Sequence, residues 1–288
     1  MNKFLWGNST SSMQTEGAYN EGGKGPSVYD IREATENTSD WKVAIDEYHR
    51  YEEDIKLMAE MGMNCYRFQI SWSRVFPEGE GKVNEEGLAF YEKLIDKLIE
   101  YNIDPMICLY HFDMPLALYE KYDGFSSRHV KDEFVKYGKL LVDRFHQKVK
   151  YWITFNEHNL YTMDMGFKIA GSKKEHTLEN IYNIQHYTLL GHAEIANYIH
   201  DNYKDLQIGG MLAHSPYYPA SSRPEDVLIA NQYDRFLSKL YLDVFSGRNY
   251  PKFFINYLEK NKIKIDYTEE DSLVFDKLKS DFISFSYY

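Results

Sequence analysis

The chain has 288 residues, of which 33 are Lys or Arg and 44 are Asp or Glu, so its formal net charge is −11. This negative charge is spread along the chain, which argues against a nucleic-acid partner, because such partners select clustered Lys and Arg. No run of about 18 apolar residues is present, so the sequence predicts no membrane span, and residues 1–7 lack the apolar core of a secretory signal.

Two cysteines, Cys65 and Cys108, stand in apolar, strand-like runs. Neither belongs to a C-x-x-C motif or to a cluster with His, the spacings that metal sites use. We therefore expect both to be small buried side chains, and the protein to lie in a reducing compartment, the cytoplasm. The aromatic content of 16% favours packing inside a core over a sugar-binding surface.

Strand-like and helical patterns alternate along the chain. Apolar runs predict six strands, at residues 4–10, 65–71, 105–110, 151–155, 207–214 and 281–288. Apolar side chains at helical spacing predict helices at 48–61, 85–101, 130–145, 177–203 and 225–245, with a shorter pair between 251 and 278. This alternation is typical of an α/β protein whose parallel sheet is covered on both faces.

Two α/β architectures are compatible with this alternation. A doubly wound open sheet that binds a dinucleotide would carry a G-x-G-x-x-G turn, and none is present. A (β/α)8 TIM barrel needs eight strands, whereas the sequence ends on a sixth strand of the buried type. We therefore predict one α/β domain over residues 1–288, an incomplete (β/α)8 TIM barrel with strands one to six, truncated before strands seven and eight.

The fourth predicted strand ends in a polar cluster. The aromatic and β-branched run from Tyr151 to Phe155 is followed directly by Asn156, Glu157 and His158. In a parallel barrel, side chains at the carboxyl ends of strands face the active site. A carboxyl group placed there beside an apolar wall has a physical reason to keep its proton near neutral pH. The alternative is an ordinary surface-loop glutamate after a core strand.

Polar side chains also mark the other predicted strands: Gln14, Arg67, His111, Asp113 and Tyr288. Taken singly, each has an ordinary structural interpretation, such as an ion pair for Arg67 or a core histidine for His111. Together they contain no metal-binding motif and no nucleophile elbow of the G-x-S-x-G type. Glycoside cleavage fits them best, because it uses carboxyl groups together with hydrogen-bond partners for ring hydroxyls.

Several motifs, in order, resemble glycoside hydrolase family 1, the family of β-glucosidases and 6-phospho-β-glucosidases. They are residues 4–7 with 14–18, 48–51 with 53–55, 66–74, 109–115 and 152–157. The resemblance covers the chain from end to end. It implies a (β/α)8 barrel of retaining enzymes that act on a small-molecule β-glycoside and need no metal or organic cofactor. It leaves a homo-oligomer possible.

The resemblance also implies roles for single residues. Glu157 resembles the general acid/base, Arg67 the guanidinium that orients the nucleophilic carboxylate, and Tyr288 the tyrosine that hydrogen-bonds that same carboxylate. Three further residues resemble groups that bind the sugar: Gln14, His111 and Asn156. Here Asn156 corresponds to the partner of the 2-hydroxyl, and the other two to partners of glycone hydroxyls.

The chain departs from the family pattern at the nucleophile. The family places it in a Thr-Glu-Asn-Gly run after strand seven, and the only Thr-Glu-Asn here, at residues 35–37, follows no strand and is rejected. We therefore expect this chain alone to be inactive. Phe112 and Ser286 stand where plain β-glucosidases tend to carry Trp and Asn, which favours the phosphorylated-substrate branch.

Three other functions remain open. The first is hydrolysis of unphosphorylated β-glucosides or β-galactosides. The second is a non-catalytic, sugar-binding remnant of the barrel. The third is a barrel isomerase or aldolase, which would need a Lys at a strand end or a set of metal ligands, and neither is visible in the sequence.

Overall fold

The computed structural model describes residues 4–163 and 165–288. Its centre is one sheet of six parallel strands, hydrogen-bonded in the order of the chain. The strands are β1 (Gly7–Ser9), β2 (Cys65–Gln69), β3 (Asp104–Tyr110), β4 (Tyr151–Phe155), β5 (Gln207–His214) and β6 (Phe282–Tyr287). A doubly wound sheet reverses its strand order at a switch point. The strictly sequential order therefore favours the barrel architecture over the open alternative.

Helices follow the strands along the chain and cover the sheet. They are α1 (Ser12–Thr15), α2 (Glu47–Glu60), α3 (Trp72–Val75), α4 (Glu85–Glu100), α5 (Leu116–Tyr122), α6 (Arg128–Phe145), α7 (Gly166–Ile169), α8 (Leu178–Asn202), α9 (Pro224–Asp234), α10 (Leu240–Phe245), α11 (Lys252–Lys260) and α12 (Glu269–Lys277). Among the described residues, none of these helices is long and apolar enough to cross a bilayer.

Two predicted elements differ from the structure. The first strand is predicted over 4–10 but spans only Gly7–Ser9, and the side chains of Phe4 and Trp6 are exposed. The helix predicted over 225–245 is divided by a π-helical turn at Arg235–Lys239. The apolar spacing continues through this turn, so the sequence pattern does not reveal it. Four short helices (α1, α3, α5 and α7) are also absent from the prediction.

Aromatic side chains fill the space between the sheet and its helices. Trp72 lies in the centre, stacked on Tyr137 at 5.4 Å between ring centroids and packed against Phe134 at 5.7 Å. Phe134 in turn contacts Phe155 of β4 at 4.5 Å. All four side chains are fully buried. For these residues the aromatic content does serve core packing, as predicted.

The two outer strands of the sheet, β1 and β6, each pair on one side only. Along β6 the side chains of Ile283, Phe285 and Tyr287 are 42%, 59% and 69% exposed. Unpaired parallel edges with apolar side chains usually require a cover. The structure thus shows the open edges that an incomplete barrel is predicted to have.

Candidate active site

Glu157 is the second residue after β4 and has a sparsely populated backbone conformation. Its φ of 46° lies in the left-handed region, and so does the φ of 75° at Phe112, the second residue after β3. Neither residue is Gly or Asn, so each conformation is strained and must be held by its surroundings. Glu157 is also buried, with 6% of its surface exposed. The surface-loop interpretation of this glutamate therefore does not hold.

Glu157 and Phe112 line a cavity of about 350 Å³ at the carboxyl edge of the sheet. Most of its other wall is apolar: Leu160, Met163, Met165, Ala213, Tyr217 and Leu237, with Asn159, Ser215, Ser238 and Tyr288 as polar members. Glu157 is the only acidic side chain among these described lining residues. Leu237 and Ser238 come from the π-helical turn, which sequence reasoning missed.

The Tyr288 hydroxyl donates a hydrogen bond to Glu157 Oε1 at 2.5 Å. The backbone N–H of Tyr288 donates to the carbonyl of His214, at the end of β5. The resemblance assigns this hydroxyl to a different, nucleophilic carboxylate. In the structure the Tyr288 hydroxyl is instead hydrogen-bonded to Glu157, the predicted acid/base. The sequence motifs do not indicate this contact.

Arg67 of β2 contacts Asn156, the residue that precedes Glu157. Arg67 Nη2 donates to Asn156 Oδ1 at 2.9 Å, and both residues are buried. Arg67 Nε is buried and has no hydrogen-bond partner among the described residues. A guanidinium normally uses its donors in pairs on a carboxylate. The position of Arg67 therefore suits a carboxylate ligand that the described contacts do not provide.

His111 interacts electrostatically with the positive charge of Arg67. Burial and the positive charge of Arg67 hold the pKa of His111 well below its usual range. The ring is therefore neutral, and its Nδ1 is buried without a partner among the described residues. A neutral imidazole with an unused nitrogen can donate to or accept from a sugar hydroxyl.

Gln14 is exposed on the short helix α1, where Ser11 Oγ donates to its Oε1 at 2.8 Å. It is not among the residues that line the cavity at Glu157. The predicted site residues thus form two contacting pairs, Glu157 with Tyr288 and Arg67 with Asn156. His111 lies near the second pair and Gln14 on a separate element.

Asn159 is a positioning residue that sequence reasoning missed. Its side chain accepts from the N–H of Ala213 and donates to the carbonyl of the same residue, both at 2.8 Å. These two bonds fasten the segment after Glu157 to the end of β5. The Asn159 side-chain amide thus bonds the N–H and the carbonyl of Ala213, as the backbone of a neighbouring strand would. No motif in the sequence indicates this role.

One group of potential metal ligands exists among the described residues, outside the cavity. Oxygen and nitrogen atoms of Glu80, His129 and Glu133 lie within 4.8 Å of one another. Lys136 Nζ pairs with Glu133 at 2.5 Å, and Lys121 Nζ approaches Glu80 at 3.8 Å. Protein cations therefore already neutralise these carboxylates.

The Thr-Glu-Asn run at residues 35–37, which was rejected as the nucleophile motif, is an exposed turn closed by a bridge between Thr35 and Thr38.

Two buried carboxyl groups make stability depend on pH. Burial raises the pKa of Glu47 and of Asp113, each to about 7. A carboxyl group whose pKa rises on folding stabilises the fold fully below its unfolded pKa and loses that contribution as pH rises through its folded pKa. We expect each group to lower the free energy of unfolding by on the order of 1 kcal/mol between pH 6 and pH 8.

Buried histidines act in the opposite direction. Burial lowers the pKa of His192 to about 3 and that of His158 well below 6.5, so the stability they contribute is lost as pH falls below about 6.5. Urea unfolding between pH 5 and 8.5 should therefore show a stability that changes little up to about pH 6 and declines above it. In the double variant E47Q/D113N the decline above that pH should largely disappear. An unchanged decline would assign it to other groups.

Comparison with known proteins gives the family. The model of Glycosyl hydrolase family 1 matches residues 1–288. The chain belongs to this family. An aryl-phospho-β-D-glucosidase of Bacillus subtilis, BglC, is 41% identical over 99% of the chain and 61% of the relative. β-Glucosidase A of Acetivibrio thermocellus is 39% identical over 99% of the chain and 64% of the relative.

A solved structure confirms the fold. A rice β-glucosidase mutant in a covalent complex with Glc superposes with a TM-score of 0.90 and 32% identity, covering all of this chain and 64% of the rice chain. The six strands are therefore part of a (β/α)8 barrel, as predicted. This family 1 chain spans a little over three fifths of the length of the relatives it matches.

Proposed function

We propose that this chain carries the acid/base side of a retaining β-glycosidase site, with Glu157 as the general acid/base. The observation that supports it most is the buried, left-handed Glu157 at the end of β4, facing a largely apolar cavity and hydrogen-bonded to Tyr288. Strained backbone conformations of this kind persist where the surrounding structure fixes the direction of a functional side chain.

The chemistry follows from these positions. Glu157 gives its proton to the glycosidic oxygen as the bond to the leaving group breaks, and then takes a proton from the water that attacks the glycosyl–enzyme intermediate. Asn156 and His111 would bind ring hydroxyls, as would Gln14. Tyr288 would hold Glu157 in place until a substrate arrives.

The covalent step needs a second carboxylate about 5–5.5 Å from the acid/base. Glu157 is the only acid among the described cavity residues, and Arg67 Nε has no partner among the described groups. We propose that the nucleophile comes from sequence outside these 288 residues and binds Arg67. The chain alone would then bind a glycoside without cleaving it.

For the substrate we propose β-glucosides phosphorylated at C6, taken up into the cytoplasm. The name of the Bacillus relative supports this choice, as do Phe112 and Ser286. The Acetivibrio β-glucosidase is almost as similar, at 39% against 41% identity. Hydrolysis of unphosphorylated β-glucosides is therefore the second candidate.

An activity assay of the purified 288-residue chain tests the proposal that this chain lacks the nucleophile. We expect no saturable release of 4-nitrophenol from 4-nitrophenyl β-D-glucoside or its 6-phosphate. The matched sample is the same chain with Glu157→Gln, which should give the same background. Saturable hydrolysis that disappears in the Glu157→Gln chain would show that a nucleophile is present after all.

The coding sequence beyond codon 288 gives an independent test. If the reading frame continues into a strand that ends in Thr-Glu-Asn-Gly, the glycosidase proposal stands for the longer protein. A stop codon at that point would instead favour the non-catalytic, sugar-binding remnant. In that case the chain should bind phenyl 1-thio-β-D-glucoside, a non-hydrolysable glycoside, and never cleave its oxygen analogue.

A further inference from the structure

A second cavity, of about 430 Å³, lies between the loop after β1, helix α5 and helix α7. It shares no described lining residue with the cavity at Glu157. Its wall contains three basic side chains, Arg32, Lys168 and His176, and no Asp or Glu among the described residues. The protein has 44 acidic residues against 33 Lys and Arg, so the wall of this basic cavity differs in charge from the chain as a whole.

The three basic side chains of this cavity have no carboxylate partner. Arg32, Lys168 and His176 form no ion pair with any residue that the structure describes. Glu33, the neighbour of Arg32 in the chain, instead places its Oε1 3.6 Å from Lys42 Nζ. Most buried or half-buried cations in proteins are paired. Three unpaired basic groups around one cavity therefore indicate an anionic ligand.

One carboxylate, that of Asp123, contacts the cavity wall, but neutral groups already use its oxygens. It accepts from the hydroxyls of Ser126 and Ser172, each at 2.8 Å, and from the backbone N–H of Lys173. The Lys173 ammonium group points elsewhere, with its Nζ 4.7 Å from the ring centroid of Tyr119, a residue of the cavity wall. Asp123 thus shapes the loop before α8, and Lys173 adds a fourth positive charge beside the cavity.

Buried aromatic rings hold two of the basic groups in place. The Arg32 guanidinium lies 3.9 Å from the ring centroid of Tyr29, and the His176 ring stacks on Phe167 with 4.0 Å between centroids. Tyr29 and Phe167 are 7% and 3% exposed, so neither support is free to move. Groups that are already positioned lose less conformational entropy when a ligand binds.

We propose that the basic cavity binds the phosphate group of a small phosphomonoester. Arg32 can bind two phosphate oxygens with its planar guanidinium, and Lys168 adds a point charge. His176 can donate to a further oxygen in either protonation state. Two fixed cations match the charge of a phosphomonoester at neutral pH better than that of a single carboxylate. The inference does not depend on the proposed catalysis, because none of these residues lines the cavity at Glu157.

Isothermal titration calorimetry of the 288-residue chain at pH 7.5 and low ionic strength tests this site. The probes are glucose 6-phosphate, inorganic phosphate, glucose and acetate. We expect both phosphates to bind, and the double variant R32Q/K168Q to weaken them at least about tenfold, because it removes two charge-assisted contacts. Acetate should bind much more weakly than phosphate. Any heat from glucose should be the same in R32Q/K168Q and in the unsubstituted chain.

The matched control is R50Q/K56Q, which removes the same two charges from the surface of α2. There each cation already pairs with an acid on the same helix, Glu53 or Glu60. Because salt screens distant charges, we expect phosphate affinity to stay within about twofold of the unsubstituted chain. Lys168→Gln alone, at an exposed side chain, should still weaken binding several-fold even if Arg32→Gln does not fold.

The two phosphate probes distinguish the sources of the ligand. If both bind and both are weakened in R32Q/K168Q, the phosphate group alone is recognised and the proposal is supported. If only glucose 6-phosphate behaves in this way, the proposal holds for a sugar phosphate. The proposal is wrong if neither probe binds, if R32Q/K168Q binds as tightly as the unsubstituted chain, or if R50Q/K56Q loses as much affinity. Acetate binding as tight as that of phosphate would also contradict it.

Discussion

Replacing Glu157 by Gln should lower kcat by roughly 10²–10⁴-fold for alkyl β-glucosides in a complete barrel that contains both this chain and the nucleophile. The amide keeps the size of the side chain and can still meet the Tyr288 hydroxyl. It cannot give a proton to the leaving oxygen or take one from water. Affinity for a non-hydrolysable thioglycoside should therefore change little.

Dependence on the leaving group distinguishes loss of the acid from general damage to the site. Cleavage of a 2,4-dinitrophenyl β-glucoside needs no proton on the leaving oxygen, so formation of the glycosyl–enzyme should be much less affected by Glu157→Gln. The control is Glu78→Gln, at a largely exposed surface glutamate. An equal loss with alkyl and dinitrophenyl substrates would assign Glu157 a structural role instead.

Replacing Arg74 by Met should lower the free energy of unfolding by about 3–5 kcal/mol, because it leaves the buried Glu16 carboxylate without its cation. Arg74 is fully buried, and its Nε donates to Glu16 Oε2 at 2.9 Å. Its guanidinium also lies 4.5 Å from the ring centroid of Tyr48. Methionine fills similar volume, so the loss measures the charge and its hydrogen bonds more than a cavity.

The matched control is Arg50→Met, which breaks an ion pair with Glu53 on the surface of α2. Both partners are more than half exposed, and ion pairs of this kind contribute little to stability. Urea unfolding of the two variants at pH 6.5 compares them directly. A similar, small loss in both would mean that water reaches Glu16 readily when Arg74 is gone.

The arrangement of elements could largely be predicted from the sequence. Strands β2 to β5 lie within two residues of their predicted bounds, because each is a compact apolar run between polar breaks. The break of the helix at Arg235–Lys239 was missed, because one extra residue in a turn leaves the apolar spacing almost unchanged. The left-handed backbone of Phe112 and Glu157 was missed as well, since neither residue type favours it.

The sequence by itself determined the family, the order of the strands and the place of Glu157 after β4, since each depends on residues that are neighbours in the chain. The tertiary structure decided which groups touch. The Tyr288 hydroxyl reaches Glu157 across 131 residues, and Ser12 meets Asp113 across 101. Such contacts depend on how parallel strands align and on where loops turn. Local patterns carry no information on either, so the partners of Glu157 and of Ser12 appear only in the folded chain.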